Sequence, residues 1–377
     1  MRAFFKICCY LLVMVSLVLL TPRAAHADGG APNLAYVAGT SHGISVIDVA
    51  QQKVTSTLAA DGDPHTILLS LDARFLYVTQ PTLNRVTILV AKSGQAVCTA
   101  NVAGKPSLLA LDPGTNILYA AGNGAASVSA IDTTDCTIKQ TLKTTGNVYG
   151  LAVAVVGGGP SGGNGNQIWV SDMTSVTIFD TAGKQLTSIP VNGGPQYIPV
   201  PTGFVAYVTT RSGTVDAIDL NTRSVLPPLI KGQAFGPMDY DALTGEVYVP
   251  DIDGNQIDVL APVLPNSSGL QHQPSRVINF GVAPQSIAIT SDGQLGFVAL
   301  SGGNVAMLDI PGRQVVSTIF VGGNPHFIIT GLYPPLIGST PQEASIWGTV
   351  ITVASYVLVV ALLIVPMLII WRKRAKT

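Results

Sequence analysis

Glutamate is almost missing from this 377-residue chain: Glu246 and Glu343 are the only two, set against 39 Gly and 25 Pro. A chain so short of one strong helix former and so rich in turn formers is a poor candidate for long helices anywhere but at its ends. Charge is scarce too, at 11% of residues, and seven of the 20 Lys and Arg sit in the terminal segments (Arg2, Lys6, Arg23, Arg372, Lys373, Arg374, Lys376). That leaves the central body with 13 basic against 21 acidic residues. A body of that sign repels phosphate backbones, so nucleic acid is not an expected partner. Cys-x-x-Cys-His is absent, which excludes a covalently attached c-type haem. No serine-nucleophile motif, P-loop, dinucleotide fingerprint, His-x-x-His or clustered metal-ligand run is read in the body. The stretch GGGPSGGNGNQ (157–167) holds Gly-x-Gly spellings by composition alone and reads as a flexible loop, since no helix signal follows it. Asn266-Ser267-Ser268 spells a glycosylation sequon, which carries little weight beside a leader of bacterial appearance.

What is present is a repeat. PHTILLSLDARFLYVT (64–79) returns as KPSLLALDPGTNILYAA (105–121), GPMDYDALTGEVYVP (236–250) and APQSIAITSDGQLGFVA (283–299), and its first half returns as NPHFIIT (324–330). Each copy is an apolar run, an Asp/Gly-rich turn and a second run opened by an aromatic, which is the pattern of a β-hairpin. A second hairpin follows each copy, as in GISVIDVAQQKVTSTL (43–58), TVDAIDLNTRSVLPPL (214–229) and NVAMLDIPGRQVVSTI (304–319). Four strands per unit at a period near 40 residues is the signature of a β-propeller. The opening aromatics Tyr36, Tyr77, Tyr119, Trp169, Tyr207, Tyr248 and Phe297 lie 38 to 50 residues apart and predict seven blades. The two long spacings fall where 157–167 and APVLPNSSGLQHQPS (261–275) read as loop insertions. First strands begin only near His65 and end at Thr330, so the last of them is expected to complete the blade of Tyr36, in the manner called Velcro closure.

The recurring LYVT (76–79), AYVT (206–209) and VYVP (247–250), with Pro-His (64–65, 325–326) and VID (46–48), resemble the YVTN-type repeat family of β-propellers over about 295 residues. The resemblance implies a surface-layer or secreted binding protein. It is similar in repeat also to lactonases and to the haem-d domain of a nitrite reductase.

The ends carry targeting signals. Residues 1–27 have a basic start, an apolar run from Ile7 to Leu20 and Ala25-His26-Ala27, which read as a secretory signal peptide cut before Asp28, with an uncleaved anchor as the alternative. The propeller is expected over 28–330, followed by a Pro-rich linker (331–345) and a single transmembrane helix (346–371) whose run to Ile370 holds no charge. Trp347 and Trp371 flank that span, and the basic tail (372–377) places it by the positive-inside rule. The expected state is single-pass in a cell membrane, the propeller in the periplasm or on the cell surface and the tail in the cytoplasm. A sorting signal that is later removed has the same appearance.

Candidate site residues follow from the blade alignment. His65, Ser107, Tyr149, Gln196, Gly236, Gln285 and His326 begin the innermost strands and are expected at the funnel mouth, most of them polar. His42, in GTSHG (39–43), is expected to join His65 and His326 in one sector as three candidate metal ligands, with Arg211, Asp251 and Asp253 in equivalent loops. Beyond that candidate metal the residues call for no cofactor. Asp48, Asp132, Asp180, Asp219 and Asp309 end third strands and Asp72, Asp112, Asp241 and Asp292 lie in first-hairpin turns; residues that recur blade after blade read as turn caps. Cys98 and Cys136 survive signal removal and, slightly out of register on outer strands, read first as isolated buried thiols and second as a disulfide. The expected function is a scaffold that binds a protein or small ligand on one propeller face and the bilayer through 346–371. The alternative is an enzyme with its site in the funnel, a lactonase-like hydrolase or a redox protein.

Overall fold

The computed structural model describes residues 33–154, 166–201, 203–264 and 270–331. The expected signal peptide, linker, transmembrane span and basic tail lie outside them, as do most of 157–167 and the Asn266 sequon. Among the described residues no helix is long and apolar enough to cross a membrane.

The strands form seven antiparallel sheets, six of four strands and one of three, so the chain is an all-β, seven-bladed β-propeller. The first blade combines Leu34–Thr40, Gly43–Asp48 and Lys53–Leu58 with Phe327–Gly331, which pairs with Leu34–Thr40 from Leu34↔Gly331 to Ala38↔Phe327. In each other blade the sheet order is the chain order, from the innermost strand at the axis to the outer strand at the rim.

Alternation along the second strands builds the ring. Successive side chains of a strand face opposite ways, and in a propeller both ways lead into a junction with a neighbouring blade. Tyr36 and Ala38 pack with Ile67, Leu76 and Val78 of the second blade, while Ala35 and Val37 pack with Phe297 and Ala299 of the seventh. The same division repeats at every junction, and the seven opening aromatics are all buried, each in the core it shares with the next blade. A large aromatic in such a core is worth about 3–5 kcal/mol relative to Ala.

The fifth blade is the three-stranded one. Its innermost segment still bonds Val205–Thr209 (Gln196 N–H to Thr209 O, 2.7 Å; Thr209 N–H to Tyr197 O, 3.0 Å), but Pro195, Pro199 and Pro201 lack the donors of a regular ladder.

The recurring aspartates are turn caps. Asp48, Asp132, Asp180, Asp219 and Asp309 accept backbone N–H groups of Gln51, Thr134, Lys184, Asn221 and Gly312 at 2.8–2.9 Å. In the first hairpins Asp72, Asp112, Asp241 and Asp292 accept from Arg74, Gly114, Leu243 and Gln294 at 2.9–3.1 Å.

Cys98 and Cys136 form a disulfide with Cα atoms 5.9 Å apart, which corrects the expectation of isolated thiols. Cys136 is not on an outer strand. It occupies the left-handed position (φ 58°) of the turn before the outer strand of the third blade, a position that glycine fills in the second and fourth blades (Gly94, Gly183). From that turn it reaches Cys98 on the outer strand Ala96–Asn101 of the second blade, where both enter one junction core. Linking residues 38 apart restrains the unfolded chain by about 3–4 kcal/mol. The Cys98→Ser/Cys136→Ser pair is therefore expected to melt about 5 °C lower than the oxidised parent, measured by calorimetry without reductant.

Candidate functional site

The innermost strands surround a central cavity of about 910 Å³. Six strand-opening residues are equivalent in the ladder: His65, Ser107, Tyr149, Gln196, Gly236 and His326 each donate their backbone N–H, at 2.7–3.2 Å, to the carbonyl two residues after the opening aromatic (Thr79, Ala121, Ser171, Thr209, Pro250, Ala38). Gln285 sits at a register shift between Pro284 and Ser286 and completes the ring. All seven line the cavity, with Arg211. Because every innermost strand runs away from this ring, the ring marks one mouth of the channel. The strand interiors, among them Leu68, Leu109, Leu151, Ile198 and Met238, form an apolar belt below it.

Hydrogen bonds fix the mouth from outside. Thr66 Oγ1 donates to the Ser107 carbonyl at 2.6 Å, tying the second blade to the third, and Ser171 Oγ donates to the Gln196 carbonyl, tying the fourth to the fifth. Gly150 is required beside that second tie, because a Cβ there would collide with the Gln196 carbonyl.

His65 and His326 bring their ring centroids to 4.6 Å. His326 Nδ1 lies 3.0 Å from the Asn324 carbonyl, which accepts only, so Nδ1 carries the proton. His65 Nδ1 lies 3.2 Å from Thr66 Oγ1, whose own proton is committed to Ser107, so His65 Nδ1 is likewise the donor. Both Nε2 atoms are left as acceptors, and that of His326 is buried with no protein partner. Burial first, and the adjacent His326 second, push the His65 imidazole down to about 4. Across the ring, Arg211 stacks its guanidinium 4.6 Å from the Tyr149 ring centroid.

The remaining candidates do not join this group. His42 is exposed in the turn between Leu34–Thr40 and Gly43–Asp48 and is outside the cavity lining. Among the described residues no three His, Cys, Asp or Glu side chains converge as a metal-ligand set, so the expected three-histidine cluster reduces to a pair. The physical reason is the tight Thr40↔Gly43 pairing, which leaves His42 at the tip of a two-residue turn. Asp251 is buried and turned back on its own loop, accepting the Gly254 N–H at 2.9 Å, and Asp253 is exposed away from the channel. Gly39-Thr40-Ser41-His42-Gly43 does fit the spelling of a serine-nucleophile elbow. Here it joins two strands of one hairpin and lacks the strand-to-helix context that exposes such a serine. Sequence reasoning missed the apolar belt, whose signal was the unbroken apolar character of runs such as ILL (67–69) and LLAL (108–111), apolar on the channel side as well as the junction side.

No protein-family model and no curated protein sequence matches the chain. Solved structures do. A protein from Desulfotomaculum acetoxidans described as functionally unknown superposes with a TM-score of 0.64 at 14% identity, over 80% of this chain and 100% of that one. Kuenenia stuttgartiensis hydrazine synthase gives 0.60 at 16% identity over 74% and 92%. The dihydro-heme d1 dehydrogenase NirN, in complex with DHE, gives 0.57 at 14% identity over 78% and 74%. The likeness is one of fold. At these identities an enzyme and a protein of undescribed function share the same architecture, and the choice between them rests on the residues of the channel.

The depressed His65 has a signed consequence. Above the ordinary histidine value of about 6.5 the ring is neutral folded and unfolded alike; between there and about 4 the unfolded chain takes up a proton that the folded one refuses. Stability is thus lost as pH falls through that window. Urea melts of the wild type and His65→Gln at pH 7.5 and 4.5 are expected to show the wild type losing roughly 2 kcal/mol more than the variant over that interval. A difference between the two proteins that stays constant with pH would remove the effect.

Proposed function

We propose that the chain is a membrane-anchored, extracytoplasmic propeller whose channel mouth holds a ligand without transforming it. The single observation that carries this reading is the ring of polar strand-opening residues over an apolar belt, around a cavity of about 910 Å³. That size and that mixture of apolar wall and few polar points are typical of small-molecule sites. Among the described residues the lining supplies a guanidinium, imidazoles, amides and hydroxyls, and no carboxylate. A lactonase-like hydrolase needs carboxylates or a metal-ligand set at that mouth, so binding is the better reading. The YVTN-type repeat supports an extracytoplasmic role, and the leader, apolar span and basic tail read from sequence support single-pass anchoring. The pairing of Phe327–Gly331 with Leu34–Thr40 supports a ring fastened by its last strand before the chain leaves for the linker.

Two experiments test the proposal. In spheroplasts, added protease should digest the propeller while an epitope after Thr377 stays protected; loss of the epitope would reverse the orientation, and release of the propeller without protease would favour a removed sorting signal. For the channel, the full chain in nanodiscs should bind the neutral probe 4-phenylbutan-1-ol at one site above an empty-nanodisc blank. Ser107→Trp, which fills the mouth, should abolish that binding.

A further inference from the structure

We propose, building on the reading of the channel as a ligand site, that its ligand is an amphipathic organic acid: an apolar body carrying one carboxylate, with the carboxylate held by Arg211.

Charge comes first. Acidic residues outnumber basic ones in the body, yet among the described residues none lines the channel, and Arg211 is the only permanently charged one that does. No carboxylate pairs with Arg211 among the described residues. An unpaired guanidinium at a concave, acid-free mouth is the natural counterion of an incoming anion. Its fork matches a carboxylate in two parallel hydrogen bonds. One cation, with no lysine in the lining, balances one negative charge. A phosphate monoester brings nearly two, so a carboxylate is the better match.

Position comes second. Arg211 is held from both ends: its backbone N–H bonds the Gly194 carbonyl at 2.8 Å and its guanidinium lies on Tyr149. Tyr149 opens the innermost strand of the fourth blade and Arg211 belongs to the fifth, so the exposed guanidinium is held at the channel mouth by its contact with the Tyr149 ring. His65 and His326 belong to the second and first blades, across the channel from it. The His65 Nε2 acceptor gives the ligand a second point of attachment, suited to a hydroxyl or N–H, while that of His326 is buried. The apolar body then runs down the axis, where Leu68, Leu109 and Ile198 face it.

The test compares 4-phenylbutyrate with 4-phenylbutan-1-ol, two probes that differ in the carboxylate, by equilibrium dialysis against the full chain in nanodiscs. Wild type is expected to bind the acid about tenfold more tightly than the alcohol, equivalent to about 1.4 kcal/mol. Arg211→Gln should remove that preference, so that acid and alcohol bind alike. Gln285→Glu, which adds a carboxylate to the ring while keeping Arg211, should weaken the acid relative to the alcohol and so guards against a folding artefact in the first variant. Equal binding of acid and alcohol by the wild type, or an acid preference that survives Arg211→Gln, would overturn the proposal while leaving the channel as a ligand site. Binding of neither probe would overturn the proposal and the channel reading together.

Discussion

Everything in this fold depends on the second strand of each blade having no solvent-facing side. Its odd and even residues feed two different junctions, so both must be apolar and one must be large enough to fill the wedge between diverging sheets. Tyr36, Tyr77, Tyr119, Trp169, Tyr207, Tyr248 and Phe297 meet that demand. A ring held this way has no dispensable member, because loosening one sheet exposes a face of each neighbour as well as its own. It also explains why identities of 14–16% suffice for the same architecture: the junctions ask for size and apolarity at fixed positions and little else.

The opening aromatics and the Asp-rich turns are local features with a fixed period, so the blade count and the turn caps were legible in the sequence. The strand-opening ring was legible for the same reason, since a ladder position is a count from the aromatic. What escaped depends on direction rather than position. His42 is close to His326 along the repeat, yet a two-residue turn carries it outward. Cys136 looked out of register with Cys98 because its strand was counted and its dihedral was not; a left-handed residue in the turn before that strand redirects the side chain toward the neighbouring blade. Asp251 is recognisable as a cap only once the Gly254 amide is seen pointing at it.

The channel mouth inherits its chemistry from being free of the junction constraint. No residue that opens an innermost strand belongs to a junction core, and the repeat carries His, Ser, Tyr, Gln or Gly there. The backbone N–H is still committed to the second strand, which holds these varied side chains at one height around the axis. The mouth is thus a rigid collar with replaceable contents. The His65–His326 pair shows how far replacement can go: two adjacent imidazoles are tolerated with each Nδ1 facing an oxygen acceptor.

The aspartate caps bear on the electrical character of the whole molecule. Glutamate, one methylene longer, does not reach its own turn amides in the same way, and the near-absence of Glu beside so many Asp shows which property the repeat uses. Two turns per blade call for this residue, one between first and second strands and one between third and fourth, and both lie on the face opposite the polar collar. Nine of the 21 acidic residues are therefore set by backbone geometry. Lengthening such a ring by one blade would add up to two negative charges to that face whatever the protein binds, and neutralising them would loosen the hairpins before it altered any ligand.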